Sequence, residues 1–505
     1  MVLRRLGAAG IAAAAAFSLA ACGLSVSTRD QVTEAGTETT AVEQEKIKTK
    51  EGEKVTLRVV DWSDSTKARR EAFNKKFMEE NPGVTVEYTV LTADQFKESV
   101  ISSIKSGDAP DLFPLPSGVN INTAVEENWF VPLTGYLGED FFAQFAEGSF
   151  NEGVTNVDGK VYGVPEAANI VNTLIFYNKT VLEDAGVTEL PATWSEFKEA
   201  CETVTKAGGG KYYGLIDSGA QTNRLELFIR SLASTAGAKC GDMSQIILVD
   251  GKSPLNSDAM RSAFAFYDSL VKGGCIHPDS ITLKAPEARA LFAQNQAAFI
   301  CQGAWCISTW KTENPDLDFG VMAMPVPDSG AKGKLPHISA TAWMGISANS
   351  KHPDVAARYL EGLYSEDYQS GLVEDGGFVS VINSVNEKYM TDEQMLEYYK
   401  LNDEAAVLVP DPIIGNPQAA TVYAAAATVS PGLGEILQGV LAQSVDYEAQ
   451  LADLAEKTQA EWEGAIQKAA DAGADVGPED FIRPTCRPER DQPAGTAGGL
   501  FHHAS

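Results

Sequence analysis

Three tryptophans sit in polar or glycine-containing stretches beside strand-like runs. Trp62 comes shortly after the strand-like Val55–Val60, Trp305 closes Gln302-Gly303-Ala304-Trp305, and Trp343 lies in Ser339-Ala340-Thr341-Ala342-Trp343-Met344-Gly345. An indole face beside amide, hydroxyl or carboxylate groups suits a sugar, which has apolar C–H faces and hydroxyl edges. Asp64, two residues after Trp62, is placed to accept hydroxyl hydrogen bonds. The alternative for each tryptophan is core packing. Asp61 with Asp64, or Glu166, could instead form a glycosidase carboxylate pair, which requires a defined separation that sequence does not give. Other catalytic patterns are absent. Gly209-Gly210-Lys211-Tyr212 lacks the hydroxyl residue and the earlier glycine of a phosphate loop. No nucleophile elbow surrounds Ser117, Ser253 or Ser347. The five histidines form no zinc-protease pattern, and the prolines beside His277 and His337 place both in surface loops. Cys301 and Cys306 are close enough in sequence to close a small disulfide loop, with buried free thiols as the alternative. No second Cys or His pair at zinc-ligand spacing follows them, so no zinc site is expected. No metal and no cofactor are expected.

These residues need a scaffold of alternating strands and helices. Val55–Val60 and Val84–Val90 read as strands, with Lys67–Glu80 a helix between them that stops before Asn81-Pro82-Gly83. Gln95–Ser106 reads as a helix and Ala109–Phe113 as a short strand, an order that predicts an α/β domain with a mainly parallel sheet. Farther on, Val171–Tyr177 is strand-like. Thr193 followed by Glu196 forms a capping box ahead of a helix that places Trp194, Phe197, Cys201 and Val204 on one face. Leu225–Thr235, Asp258–Lys272 and Glu287–Asn295 are further helices, and Ala297–Cys301 is a strand. Beyond about residue 350 helix predominates. The last 30 residues hold Cys486 and lack periodicity, as in a disordered tail.

The chain has 505 residues, room for more than one core, and a net charge of −29. Such a charge disfavours nucleic acid and anionic lipid surfaces as targets. Residues 1–22 begin with Arg4 and Arg5, continue as 16 uncharged residues from Leu6 to Ala21, and end at Cys22. An apolar run this short suits an export signal better than a membrane span, which needs roughly 20 residues. Residues 23 to about 52 contain no aromatic residue and read as a flexible tether. Leu19-Ala20-Ala21-Cys22 resembles the lipobox of bacterial lipoproteins. That resemblance implies cleavage before Cys22, acylation of its thiol, and an anchored position on the outer face of the cell membrane. Loss of Arg4 and Arg5 with the signal takes the net charge to −31.

Several blocks then appear in order: Gly107-Asp108-Ala109-Pro110-Asp111, Val161-Tyr162-Gly163-Val164-Pro165, Leu174–Lys179, Pro191–Phe197, Ala298–Trp305, and Trp343–Ser347 with Ser350-Lys351-His352-Pro353. Together they resemble the extracellular solute-binding proteins of ABC sugar importers, of the maltose-binding type, over about residues 55–470. The resemblance implies an α/β, two-lobed periplasmic-binding-protein-like fold with a multi-strand hinge, closing on an oligosaccharide. Lobe 1 would comprise 53–168 and 326–370, lobe 2 169–325 and 371–475, followed by a disordered tail from 476 to 505. It implies a monomer, an ABC permease as partner, and no enzymatic activity. The implied ligand residues are Trp62, Asp64, Ser117, Asn172, Trp305, Trp343 and Tyr423, with Trp305 and Tyr423 as stacking platforms. Phe113-Pro114-Leu115-Pro116 departs from the maltose binder, so the sugar need not be maltose. A cell-envelope glycosidase and a binder of peptide, polyamine or glycerol phosphate are the competing readings.

Overall fold

The computed structural model describes residues 54–482, except 117–118, 147–148, 169–172, 240, 242–244, 338–341, 376–377 and 410. Strand β1 (Val55–Asp61) buries alternate residues, so Val55, Leu57, Val59 and Asp61 share an inward face. It pairs in parallel with β2 (Val84–Val90) and with β3 (Leu112–Pro114). A helix over Lys67–Glu80 joins β1 to β2, and one over Ala93–Ser106 precedes β3. The second helix ends at Gly107 with φ +73, a left-handed cap that glycine adopts without steric cost.

The second sheet is built from β4 (Leu174–Asn178), β5 (Tyr213–Ile216), β6 (Ala297–Gln302) and β7 (Phe319–Met322) in the order β5-β6-β4-β7. Only β5 and β6 are parallel; β4 runs antiparallel to both β6 and β7. The expectation of mainly parallel pairing therefore holds in the first sheet and not in the second. Strand β8 (Met344–Ile346) returns to the first sheet, antiparallel to β3. The capping box of the Trp194–Gly208 helix forms as expected, with Glu196 N donating to Thr193 Oγ1 and Thr193 N to Glu196 Oε2 at 3.3 and 3.0 Å. Val204, Cys201 and Phe197 on its inner face are fully buried, and the Phe197 ring lies 4.8 Å from that of Phe299 on β6.

Each sheet has its own core. The first contains Val55, Leu57 and Val59 with Tyr359, Leu360 and Val373. The second contains Leu174, Phe176, Phe197, Phe299 and Trp310. The chain passes from the first core to the second between Val164 and Leu174, and back between Leu335 and Trp343. It passes between them again over the stretch from Val373 to Met395. A satellite core around Ile246, Leu248, Ile413 and Phe481 adjoins the second. The sequence reading starts a tail at 476, yet packing continues to 482: Phe481 is buried and its carbonyl accepts from Leu248 N at 2.7 Å.

Candidate functional site

On the first lobe the inward alternation of β1 ends at Asp61, a fully buried carboxylate. Its Oδ1 accepts from the backbone N–H of Trp62 and of Ser63 at 2.7 and 3.0 Å. Arg70, also buried, brings Nη2 to 3.8 Å from Asp61 Oδ2. Arg70 comes from the Lys67–Glu80 helix, whose buried residues are Arg70, Asn74 and Phe77, a helical spacing with polar residues in two of three places. Its guanidinium lies 5.0 Å from the ring of Trp343 and 5.5 Å from that of Tyr368, and Nε donates to the Tyr368 hydroxyl at 3.0 Å. Burial raises the Asp61 carboxyl above its usual range, against the pull of Arg70.

Glu166 completes this cluster. Ser63 Oγ donates to its Oε1 at 2.8 Å. Burial first, and the nearby Asp61 charge second, push the Glu166 carboxyl up to about 8. A small cavity of about 10 Å³ lies between Arg70, Glu166, Trp343 and Gln369. Just before the first passage between cores, Tyr364 donates its hydroxyl to Pro165 O at 2.6 Å.

On the second lobe β6 is buried along its whole length and delivers Trp305 just beyond its carboxyl end. Trp305 is half-buried, and the Arg224 guanidinium stands 5.3 Å from its ring. A Cβ on Gly303 would come within 2.1 Å of the Trp305 ring. Gly303 therefore makes room for the indole of its own loop. Nearby on the same lobe Asp217 is buried, its Oδ2 accepting from Tyr267 at 3.0 Å, and burial pushes it up to about 6. Arg289, from the Ala285–Ala293 helix, reaches from the second lobe to Asp64 on the first, with Nη2 at 2.6 Å from Oδ2.

The structure places the expected residues unevenly. Trp62 is half-buried with its ring edge-on to Phe96 at 4.8 Å. Asp64 is half-exposed and already paired with Arg289. Trp343 is buried in the first core under Arg70. Tyr423 packs against the satellite core near Phe481, and its hydroxyl accepts from Ile246 N at 3.1 Å. Ser117, Asn172 and Cys22 lie outside the described residues. Two expectations are corrected. Cys301 and Cys306 are free and buried, as are Cys201 and Cys275, so no small disulfide loop encloses Trp305. His277 is buried rather than a surface residue; its Nδ1 accepts from Asp279 N at 3.2 Å and so caps a helical turn. The cationic residues Arg70, Arg224 and Arg289 were not singled out from sequence; for Arg70 the available sign was its place on the inward stripe of a helix.

Among the described residues no cluster could hold a metal ion and no helix is long and apolar enough to cross a membrane. The model of the bacterial extracellular solute-binding protein family matches residues 61–370, more than half of the chain. The chain belongs to that family, whose members are binding proteins and not enzymes. A binding protein of Brucella abortus is 27% identical over 360 residues, covering 71% of this chain and 82% of that one. The multiple sugar-binding protein of Streptococcus mutans is 24% identical over 61% of this chain and 71% of its own. The maltotriose-bound maltodextrin-binding domain MalE of Bdellovibrio bacteriovorus superposes with a TM-score of 0.64 at 23% identity, covering 82% of this chain and all of that domain. The fold is thus the two-lobed one of the maltose-binding type.

Proposed function

We propose that this protein captures an oligosaccharide between its lobes and delivers it to an ABC importer, acting as a monomer anchored to the outer face of the cell membrane through acylated Cys22. The half-buried indole of Trp305, at the end of the central strand of the second sheet, carries the reading. It offers a flat apolar surface beside the guanidinium of Arg224. The names of two relatives, a multiple sugar binder and a maltotriose-bound MalE, support a sugar as ligand. Trp62, Asp64, Ser117, Asn172, Trp305 and Tyr423 form the proposed contact set, with Trp343 as their support from within the first core.

A thermal-shift and calorimetric screen with maltotriose, chitobiose and raffinose tests the ligand class. A sugar at 100 times its Kd stabilises the fold by about 2.7 kcal/mol. No shift with any sugar, and a shift with a peptide or polyamine panel, would make this a binder of another solute. For the anchor, Cys22→Ser should move the protein from the membrane fraction to the soluble one or leave it unprocessed; unchanged fractionation of a soluble wild type refutes it.

A further inference from the structure

Among the described residues, two contacts between the lobes stand apart from one another. One is the Asp64–Arg289 ion pair, in which Arg289 is buried while Asp64 is half-exposed. The other is a close apolar approach. Ile413, at the start of a short helical turn, belongs to the satellite core of the second lobe. Its side chain lies against Gly153 of the first lobe, so near that a Cβ there would stand 1.7 Å from Ile413 Cγ2 and 3.1 Å from its Cβ. Ile413 is 2% exposed, whereas its neighbour Ile414 is 40% exposed. The helix over Ala420–Ala425 meets the first-lobe helix over Ile121–Glu126 beside it.

Both partners are fixed before they meet. Gly153 sits at φ +76 in a turn closed by its own N–H donating to Asn156 O at 2.8 Å. Ile413 N donates to Asp411 Oδ1 at 3.0 Å, and a β-branched side chain has little rotamer freedom with which to swing aside. Opening the lobes removes the apolar contact between Ile413 and Gly153 and admits water to that face of Ile413, which is unfavourable. It also separates Asp64 from Arg289, leaving Arg289 without its counter-charge.

We propose that the Ile413–Gly153 contact, assisted by the Asp64–Arg289 pair, is a clasp that holds the lobes closed for part of the time with no ligand present. The groups involved are all protein, so they act whether or not a solute is bound. A standing closed population raises apparent affinity, because only a fraction of binding-competent molecules would otherwise be available. It also slows solute entry. Gly153 and Ile413 are then positioning residues that set affinity without contacting the ligand.

The test uses small-angle scattering of the full-length protein in the absence of any sugar. Gly153→Ala adds the methyl group where Ile413 stands; Ile413→Ala removes the other half of the contact. Both should raise the radius of gyration above the wild-type value, and in Ile413→Ala 1 M salt should raise it further by screening the remaining ion pair. Gly159→Ala is the control. Gly159 has φ +69 in the neighbouring turn but nothing within 4 Å of an added Cβ, so it carries the same backbone strain and no clash. Its radius should stay at the wild-type value. Equal radii in all four proteins, or expansion in Gly159→Ala as large as in Gly153→Ala, would overturn the clasp. Should Gly153→Ala lose its cooperative thermal transition, Ile413→Ala decides alone. No sugar enters the experiment, so its failure leaves the oligosaccharide reading standing, and failure of that reading leaves the clasp.

Discussion

Trp343 and Trp305 sit in matching settings on the two lobes, each with an arginine guanidinium about one ring-contact distance away: Arg70 at 5.0 Å and Arg224 at 5.3 Å. They differ in what lies around the pair. Trp343 is buried, its backbone tied to Val164 and Leu115, and its arginine faces the buried Asp61, with the half-buried Glu166 alongside. Trp305 is half-buried on a turn that follows its strand, with only its inner side on the second core. The same side-chain pairing therefore does two jobs. In the first lobe it fills an interior around a buried guanidinium; in the second it sits beside a ring that is only half-buried.

Truncating the two rings separates those jobs most sharply. Trp343→Ala should cost about 3–5 kcal/mol of stability in urea unfolding, because it leaves a cavity and removes the ring beneath a buried guanidinium. It should leave the affinity of the molecules that remain folded nearly unchanged. Trp305→Ala should cost less stability, about 1–2 kcal/mol, and weaken sugar binding at least tenfold, or about 1.4 kcal/mol. Reversal of the two results would return Trp305 to the core and make the first-lobe ring the sugar platform.

A smaller effect sharpens the contrast in charge. Glu166 is pushed up to about 8 from an ordinary glutamate's value near 4.5, so folding favours its neutral form. It carries no penalty below about pH 4.5, and stability declines as pH rises from there to about 8. Glu166→Gln should therefore unfold at nearly the same urea concentration as wild type at pH 4.5 and at a higher one at pH 9. A wild-type profile that is equally steep in the Gln variant would show that Glu166 is not the group responsible.

Local structure was legible wherever a periodicity or a cap acts alone. The Lys67–Glu80 and Asp258–Lys272 helices and the Val84–Val90 strand fall on the residues their patterns indicated. The capping box at Thr193 did as well, since it needs only residues three apart. Family membership followed from blocks in order, and with it the two-lobed fold. The direction of β4 was hidden, because strand pairing is settled by partners more than 100 residues away. So was the polar interior: Val55, Leu57, Val59 and Asp61 alternate without a break, and nothing local says that a carboxylate will keep the inward register of three hydrophobic residues. His277 misled for a similar reason. A proline neighbour marks a turn, but Gln296, which contacts its Nε2 at 3.2 Å, comes from a distant segment that covers the ring.

If the chain is exported as proposed, its four described thiols carry a meaning of their own. Burial lifts Cys275 to about 11 and Cys306 to about 12, and raises Cys201 and Cys301 as well. Since the thiolate is the species that reacts, the finished fold makes all four nearly inert. On that route they would meet the outside of the cell as ordinary thiols before folding. Their redox state in a purified sample would then record how promptly each molecule folded after crossing the membrane: reduced thiols would mark chains that reached shelter in time, and oxidised ones chains that lingered outside it.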